Sequence, residues 1–165
     1  MTMVAATDMR DLPEGFVRLV ASVRLRSDPD RVAALLDEGG PWATARVDHP
    51  QSGEMRRFEV DLRLRVGGES AALTTFNKAA YLDLGRPRRT PTGWEVEIGW
   101  RASSAAPLFP VFSGWLTIGP AELRIDGLYA PPGGVVGRVA DRMLLHVAAN
   151  ATARWLLDEI DRAAR

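Results

Sequence analysis

A chain of 165 residues with 46% hydrophobic side chains suits one domain with its own core. At that size folding buries about 68–70% of the unfolded surface, so no covalent staple is required. There is no cysteine, which excludes disulfides, thiolate zinc sites and cysteine nucleophiles, and the 21 basic and 21 acidic residues cancel, which argues against broad electrostatic capture of nucleic acid or an anionic membrane.

Of the 21 basic residues only Lys78 is a lysine, an arginine excess that reads with the abundant alanine as codon bias. Residues 1–15 carry acids and lack an apolar centre, so they read as a flexible tail and not a signal peptide. No apolar run is long enough to span a bilayer. The expectation is a cytoplasmic protein, with a single domain over residues 16–165.

Phe16 to Arg26 alternates, with Val17, Leu19, Ala21, Val23 and Leu25 on one face. Period two with one apolar face predicts a half-buried strand. In "SDPDRVAALLDEGG", Asp28 can cap a helix, Pro29 suits its first turn, and Gly39 and Gly40 stop it. Pro41-Trp42 turns the chain, with Trp42 expected to plug one end of the core, and 43–48 reads as a short strand.

"MRRFEVDLRLRV" alternates most cleanly: Phe58, Val60, Leu62, Leu64 and Val66 oppose Arg57, Glu59, Asp61, Arg63 and Arg65. That pattern belongs to an antiparallel sheet with a dry side and a wet side. Residues 71–77 and 79–86 read as two further strands, and "RRTPTG" as a turn. "WEVEIGWRA" places Trp94, Val96, Ile98, Trp100 and Ala102 together. Strands follow over 109–118 and 123–129. In the former the face is open, since Val111, Trp115 and Thr117 compete with Phe112, Leu116 and Ile118.

The glycines of "GLYAPPGGVVGRVADRM" raise the possibility of a phosphate-binding loop. Gly133, Gly134 and Gly137 do not complete G-x-G-x-x-G, no lysine follows as in a Walker loop, and no second parallel strand comes after. They read as a proline–glycine joint into a helix over 134–162, about 40 Å long. Its stripe of Val139, Met143, His146, Asn150, Ala153, Leu157 and Ile160 must be covered, with Arg138, Asp141, Thr152 and Glu159 opposite. A long helix and a sheet with one dry face cannot cover themselves. The economical solution is an α+β fold in which a curved antiparallel sheet of six to seven strands wraps around the C-terminal helix.

Strand, short helix, meander and long terminal helix together resemble the helix-grip fold of the START-like or SRPBCC superfamily. The local echo lies in "FPVFSGWLTI", "LRIDGLYAPPGG" and "GRVADRMLLHVAANATARWLL", which resemble uncharacterised bacterial members akin to polyketide cyclase and lipid-transport proteins. The resemblance implies binding of an apolar or aromatic small molecule, lipid-like or polyketide-like, between sheet and helix. The superfamily's dioxygenase branch uses a histidine/carboxylate iron site. With only His49 and His146 and no paired spacing, this chain cannot copy it, and neither a metal nor another cofactor is expected.

Candidate lining residues follow from the apolar faces. They are Phe58, Val60 and Leu62, then Phe76, then Val96, Ile98 and Trp100. Phe112, Trp115 and Tyr129 supply further aromatic area, with polar handles on Trp and Tyr. Met143, His146 and Asn150 come from the helix. His146 is a weak acid–base candidate, and a half-buried histidine bonded to a carbonyl is the plainer reading. Arg142 has a ligand carboxylate as one option, but pairing with Asp141 or Asp126 is the plainer one. "SSAAPLFP" reads as a lid or a long turn, and the arginines of "GRPRRT" as a solvated hairpin.

Three functions remain open from the sequence: a binding protein for a hydrophobic small molecule, a cyclase or aromatase using His146, and a structural or interaction protein with a filled core. The first requires the least. The expected state is monomer or homodimer, without nucleic acid and without membrane insertion.

Overall fold

The structure, a computed structural model, describes residues 16–40, 43–47, 55–66, 74–102, 111–130 and 139–165. The N-terminal tail, Trp42, the possible lid "SSAAPLFP" and the glycine joint therefore lie outside the described residues. In chain order the elements are β1 (Val17–Arg24), α1 (Pro29–Glu38), β2 (Ala43–Val47), β3 (Arg56–Val66), β4 (Thr74–Leu84), β5 (Arg88–Thr90), β6 (Gly93–Ala102), β7 (Val111–Ile118), β8 (Glu122–Ala130) and α2 (Val139–Ala163).

All pairings are antiparallel, and the strand order is β1-β8-β7-β6-β4-β3-β2, with β5 attached to β6. The first strand thus closes against the last, while α2 packs chiefly against β1 at one edge and β3 near the other. This is a curved sheet gripping its C-terminal helix, an α+β helix-grip fold.

Two expectations are corrected. The segments 71–77 and 79–86 are not two strands: β4 runs unbroken through Lys78 and Ala79, in continuous register with β3 from Thr74 to Leu84. Small alanines beside polar residues hide the alternation there. "RRTPTG" is more than a turn, because Arg88–Thr90 forms a hairpin strand on β6. The return at Gly93 requires glycine: φ is +144°, and a Cβ would stand 2.0 Å from the Ile118 carbonyl oxygen.

α1 is bounded as its sequence dictates. The Asp28 carboxylate accepts from the Asp30 and Arg31 backbone N–H groups at 2.8 and 3.2 Å. At the other end Gly39, with φ at 104°, closes a Schellman turn in which Gly39 N–H donates to Leu36 O and Gly40 N–H to Leu35 O. The last carbonyls are taken up by Arg56, an arginine on the dry face of β3 that is only 8% exposed. Its guanidinium donates to Asp37 O, to Leu36 O at 3.2 Å and to Gly85 O at 2.8 Å, joining α1, β3 and the end of β4.

A second polar clamp fixes α2. Asp161, 3% exposed, accepts from the backbone N–H groups of Arg26 and Ser27, both at 2.9 Å, and from the Ser27 hydroxyl at 2.8 Å. Arg165 adds an ion pair at 3.0 Å. The described part of α2 buries Ala149, Ala153, Leu156, Leu157 and Ile160, and Thr152 with them. The sequence places Thr152 on the outer side of the helix. Its burial shows that the covered face is broader than the predicted stripe, because a sheet contacts α2 from two edges.

Burial pushes the Asp161 carboxyl up, but the two backbone N–H groups, the Ser27 hydroxyl and Arg165 outweigh it, so it sits below its ordinary value. A depressed carboxylate stabilises the fold above its unfolded value of about 4, and that contribution is lost as pH falls through the lower folded value. Asp161→Ala is expected to cost about 1–3 kcal/mol in urea denaturation at pH 7, because it strands two part-buried N–H groups. The difference between wild type and variant should shrink below about pH 4. A pH-independent difference would assign the loss to packing.

Candidate functional site

The alternation of β6 turns Val96, Ile98 and Trp100 to the dry, concave face, and all three are buried. The register then fixes their neighbours. Trp100 stands opposite Leu82 on β4 and Phe112 on β7, and Phe112 opposite Tyr129 on β8. Phe58 of β3 completes this row through Leu82. The next row reads Ile98, Gly114, Gly127 and Leu19.

The two glycines explain how the aromatic rings lie. A Cβ on Gly114 or Gly127 would meet the tip of the Phe112 ring, at 2.9 and 2.7 Å respectively. Phe112 therefore occupies space that side chains in the next row would fill. Trp100 stacks on it, with ring centroids 4.0 Å apart and planes inclined by 17°. Trp100 is 2% exposed, and its indole Nε1 has no hydrogen-bond partner. Burial pushes the Tyr129 hydroxyl up from its ordinary value, so it stays protonated over the physiological range.

This resolves the open face of the seventh strand. Phe112, Leu116 and Ile118 point inward and are buried. Trp115 does not line the concave face and is corrected here: it lies on the outer face opposite Glu97 and Asp126, with the Arg88 guanidinium 4.9 Å from its ring centre. Of the other residues singled out, Phe58, Val60, Val96, Ile98, Trp100, Phe112 and Tyr129 share the buried concave side. Asn150 is half-buried on α2. The side chains of Leu62, Phe76, Met143 and His146, and that of Arg142, lie outside the described part of the structure.

The opposite face is charged. Asp83 accepts from Arg57 at 2.7 and 2.8 Å and from Arg101 at 3.2 Å. Asp126 is held by Arg18 and Arg124. The hydrogen bond from Arg18 leads in drawing the Asp126 carboxyl below its ordinary value. At Asp83, burial opposes the same trend without reversing it.

A cleft that the sequence did not announce, of about 330 Å³, lies between α1 and the β4–β6 turn region. It is lined by Asp30, Ala33, Ala34, Asp37, Arg86, Pro87 and Trp94. Its charges engage one another: Trp94 Nε1 and Arg89 donate to Asp30, and Arg86 donates to Asp37. The arginines of "GRPRRT" are thus tied down locally. Among the described residues no cluster of histidine and carboxylates is placed to hold a metal ion. No described helix is long and apolar enough to cross a membrane.

No protein-family model matches the chain, and no curated protein matches it. Among solved structures it is similar to the di-domain ARO/CYC BexL from the BE-7585A biosynthetic pathway, with 14% identity and a TM-score of 0.51 over 93% of this chain and 51% of that one. The chain spans about half the length of that di-domain protein. It is also similar to a hypothetical protein from Helicobacter pylori, with 14% identity and a TM-score of 0.41 over 91% of this chain and 88% of that one. Sheet order, gripped helix and the first of these likenesses define a helix-grip fold.

Gly114→Ala tests the aromatic layer. The added Cβ would lie 2.5 Å from the Asp126 carbonyl oxygen and 2.6 Å from the Gly127 Cα, and backbone cannot move aside as a side chain can. The expected loss is about 1–3 kcal/mol in thermal or urea unfolding. The near-ultraviolet circular dichroism should change with it, since Phe112 and the stacked Trp100 must shift.

Proposed function

We propose that the chain binds an apolar, ring-bearing small molecule between the concave face of the sheet and α2. The observation that carries this reading is the buried row of Phe58, Trp100, Phe112 and Tyr129, set between the two edges against which α2 packs. Large flat side chains offer apolar area and rigid shape to a planar ligand.

The location along the helix supports the same reading. Asp161 fastens α2 beyond the Arg24–Glu122 end of the sheet. The aromatic row lies about 20 Å further along, at 3.4 Å per strand residue from Trp94 to Trp100. A helix rising 1.5 Å per residue covers about that distance between Asp161 and the Asn150–His146 turn. Met143, His146 and Asn150 are therefore the helix residues proposed to face the ligand, with Leu62 and Phe76 beside them on the sheet. A single domain over 16–165 suffices for the task.

A neutral fluorescent probe, N-phenyl-1-naphthylamine, is expected to bind saturably to one site per chain. Phe112→Leu, which keeps the apolar volume but loses the stack, should weaken it about twofold to tenfold. Native mass spectrometry after mild purification should reveal a retained small molecule. No saturable binding by the probe, with no retained mass, would favour a filled core and sink the proposal.

The ARO/CYC character of BexL supports a second reading, in which the bound molecule is cyclised or aromatised with His146 as acid–base group. On that reading His146→Ala abolishes turnover of a polyketide-like substrate while the thermal midpoint stays nearly unchanged. A large fall in the midpoint instead assigns His146 to packing.

A further inference from the structure

We infer that Trp100 is the polar anchor of the concave face, and that the ligand carries a neutral hydrogen-bond acceptor, a carbonyl or hydroxyl oxygen, on its apolar or aromatic body. The inference rests on the proposal that this face binds a small molecule, and it specifies that molecule's chemistry.

Indole Nε1–H is a donor only, and it can be satisfied in no other way than by an acceptor. Buried donors are paired in the great majority of native proteins, because an unmade bond costs more than a typical made one contributes. Trp100 Nε1 is buried without a partner, while Trp94, the other tryptophan of β6, donates to Asp30 at 2.8 Å. Phenylalanine at position 100 would supply a stacking ring without a stranded donor. The indole is also held in place: Phe112 stacks against it, and Phe112 is seated over Gly114 and Gly127. A donor whose direction is fixed by packing selects for an acceptor at one place on the ligand.

The described surroundings indicate a neutral acceptor. Among the described residues the buried charged ones are Arg56 and Asp161. Arg56 already donates to three backbone carbonyls, and Asp161 is engaged by Arg26, Ser27 and Arg165. Both are thus already engaged, and a buried charge left uncompensated is strongly disfavoured.

The test uses matched naphthalenes and the full chain. 2-Acetylnaphthalene and 2-ethylnaphthalene differ by one carbonyl in place of a methylene, and 2-naphthoate offers a charged acceptor. Calorimetric titration at pH 7 should find the ketone bound about fivefold to tenfold tighter than the hydrocarbon, and the naphthoate weaker than the ketone. Trp100→Phe should erase the ketone's advantage over the hydrocarbon.

Should that variant fold poorly, the wild-type indole N–H resonances give the same answer. Trp42→Phe, Trp94→Phe, Trp115→Phe and Trp155→Phe identify the Trp100 signal by elimination. That signal should move downfield with the ketone and not with the hydrocarbon. Equal affinity for ketone and hydrocarbon, an advantage that survives Trp100→Phe, or an unmoved indole signal overturns the anchor while leaving the binding site standing. Tighter binding of the naphthoate overturns the neutral class. If none of the three binds, the binding proposal falls and the anchor with it.

Discussion

An antiparallel sheet with one dry face exposes a wall of Val, Ile, Leu and aromatic side chains unless something covers it, and here the cover is chiefly one helix, α2, with the buried side of α1 against β6 and β7. That constraint orders the rest of the molecule. One helix is narrower than a sheet of seven strands in line, so flat packing would leave most of the wall wet. Bending the sheet brings β1 and β3 against α2 from opposite sides. The first strand pairs with the last, so the edges of the sheet are β1 and β2 and not β8.

Hydrophobic cover is non-directional, so it does not by itself decide where along the sheet the helix stops. Two buried polar groups supply that information. Asp161 ties the last turns of α2 to the backbone after β1, and Arg56 ties the end of α1 to β3 and to Gly85. Both act on backbone groups that the ends of elements leave unsatisfied. Neither sits in the aromatic row, where the described polar side chains are instead Trp100 and Tyr129.

The periodicity of single strands was legible because one face of each is uniformly apolar. "RRFEVDLRLRV" and "WEVEIGWRA" declare their faces, and "SDPDRVAALLDEGG" declares both ends of α1. "FPVFSGWLTI" does not, since large apolar residues occur on both of its faces. The choice between Phe112 and Trp115 was made by tertiary partners: the Gly114–Gly127 pair makes room for Phe112 inside, and Arg88 covers Trp115 outside. β4 was misread as two strands because Lys78, Ala79 and Ala80 carry little pattern of their own. Arg56 and Asp161 could not have been found by spacing, because Asp161 meets residues 134 and 135 positions away. As for the candidate site, the place of Trp100 on the buried face was legible from its wholly apolar strand face, but its unpaired indole was not, since a missing partner is a property of the packed molecule.

The glycine pair links the shape of the sheet to the character of the site. Gly114 and Gly127 face each other across β7 and β8, and their Cα atoms approach so closely that a Cβ on either would stand 2.6 Å from the other. Side chains there would force the strands apart and lift Phe112 off the sheet. Without them Phe112 can lean across its neighbours, and Trp100 can stack against it instead of filling the centre of the grip. The close glycine contact therefore decides where both rings lie: Phe112 over Gly114 and Gly127, and Trp100 stacked against Phe112.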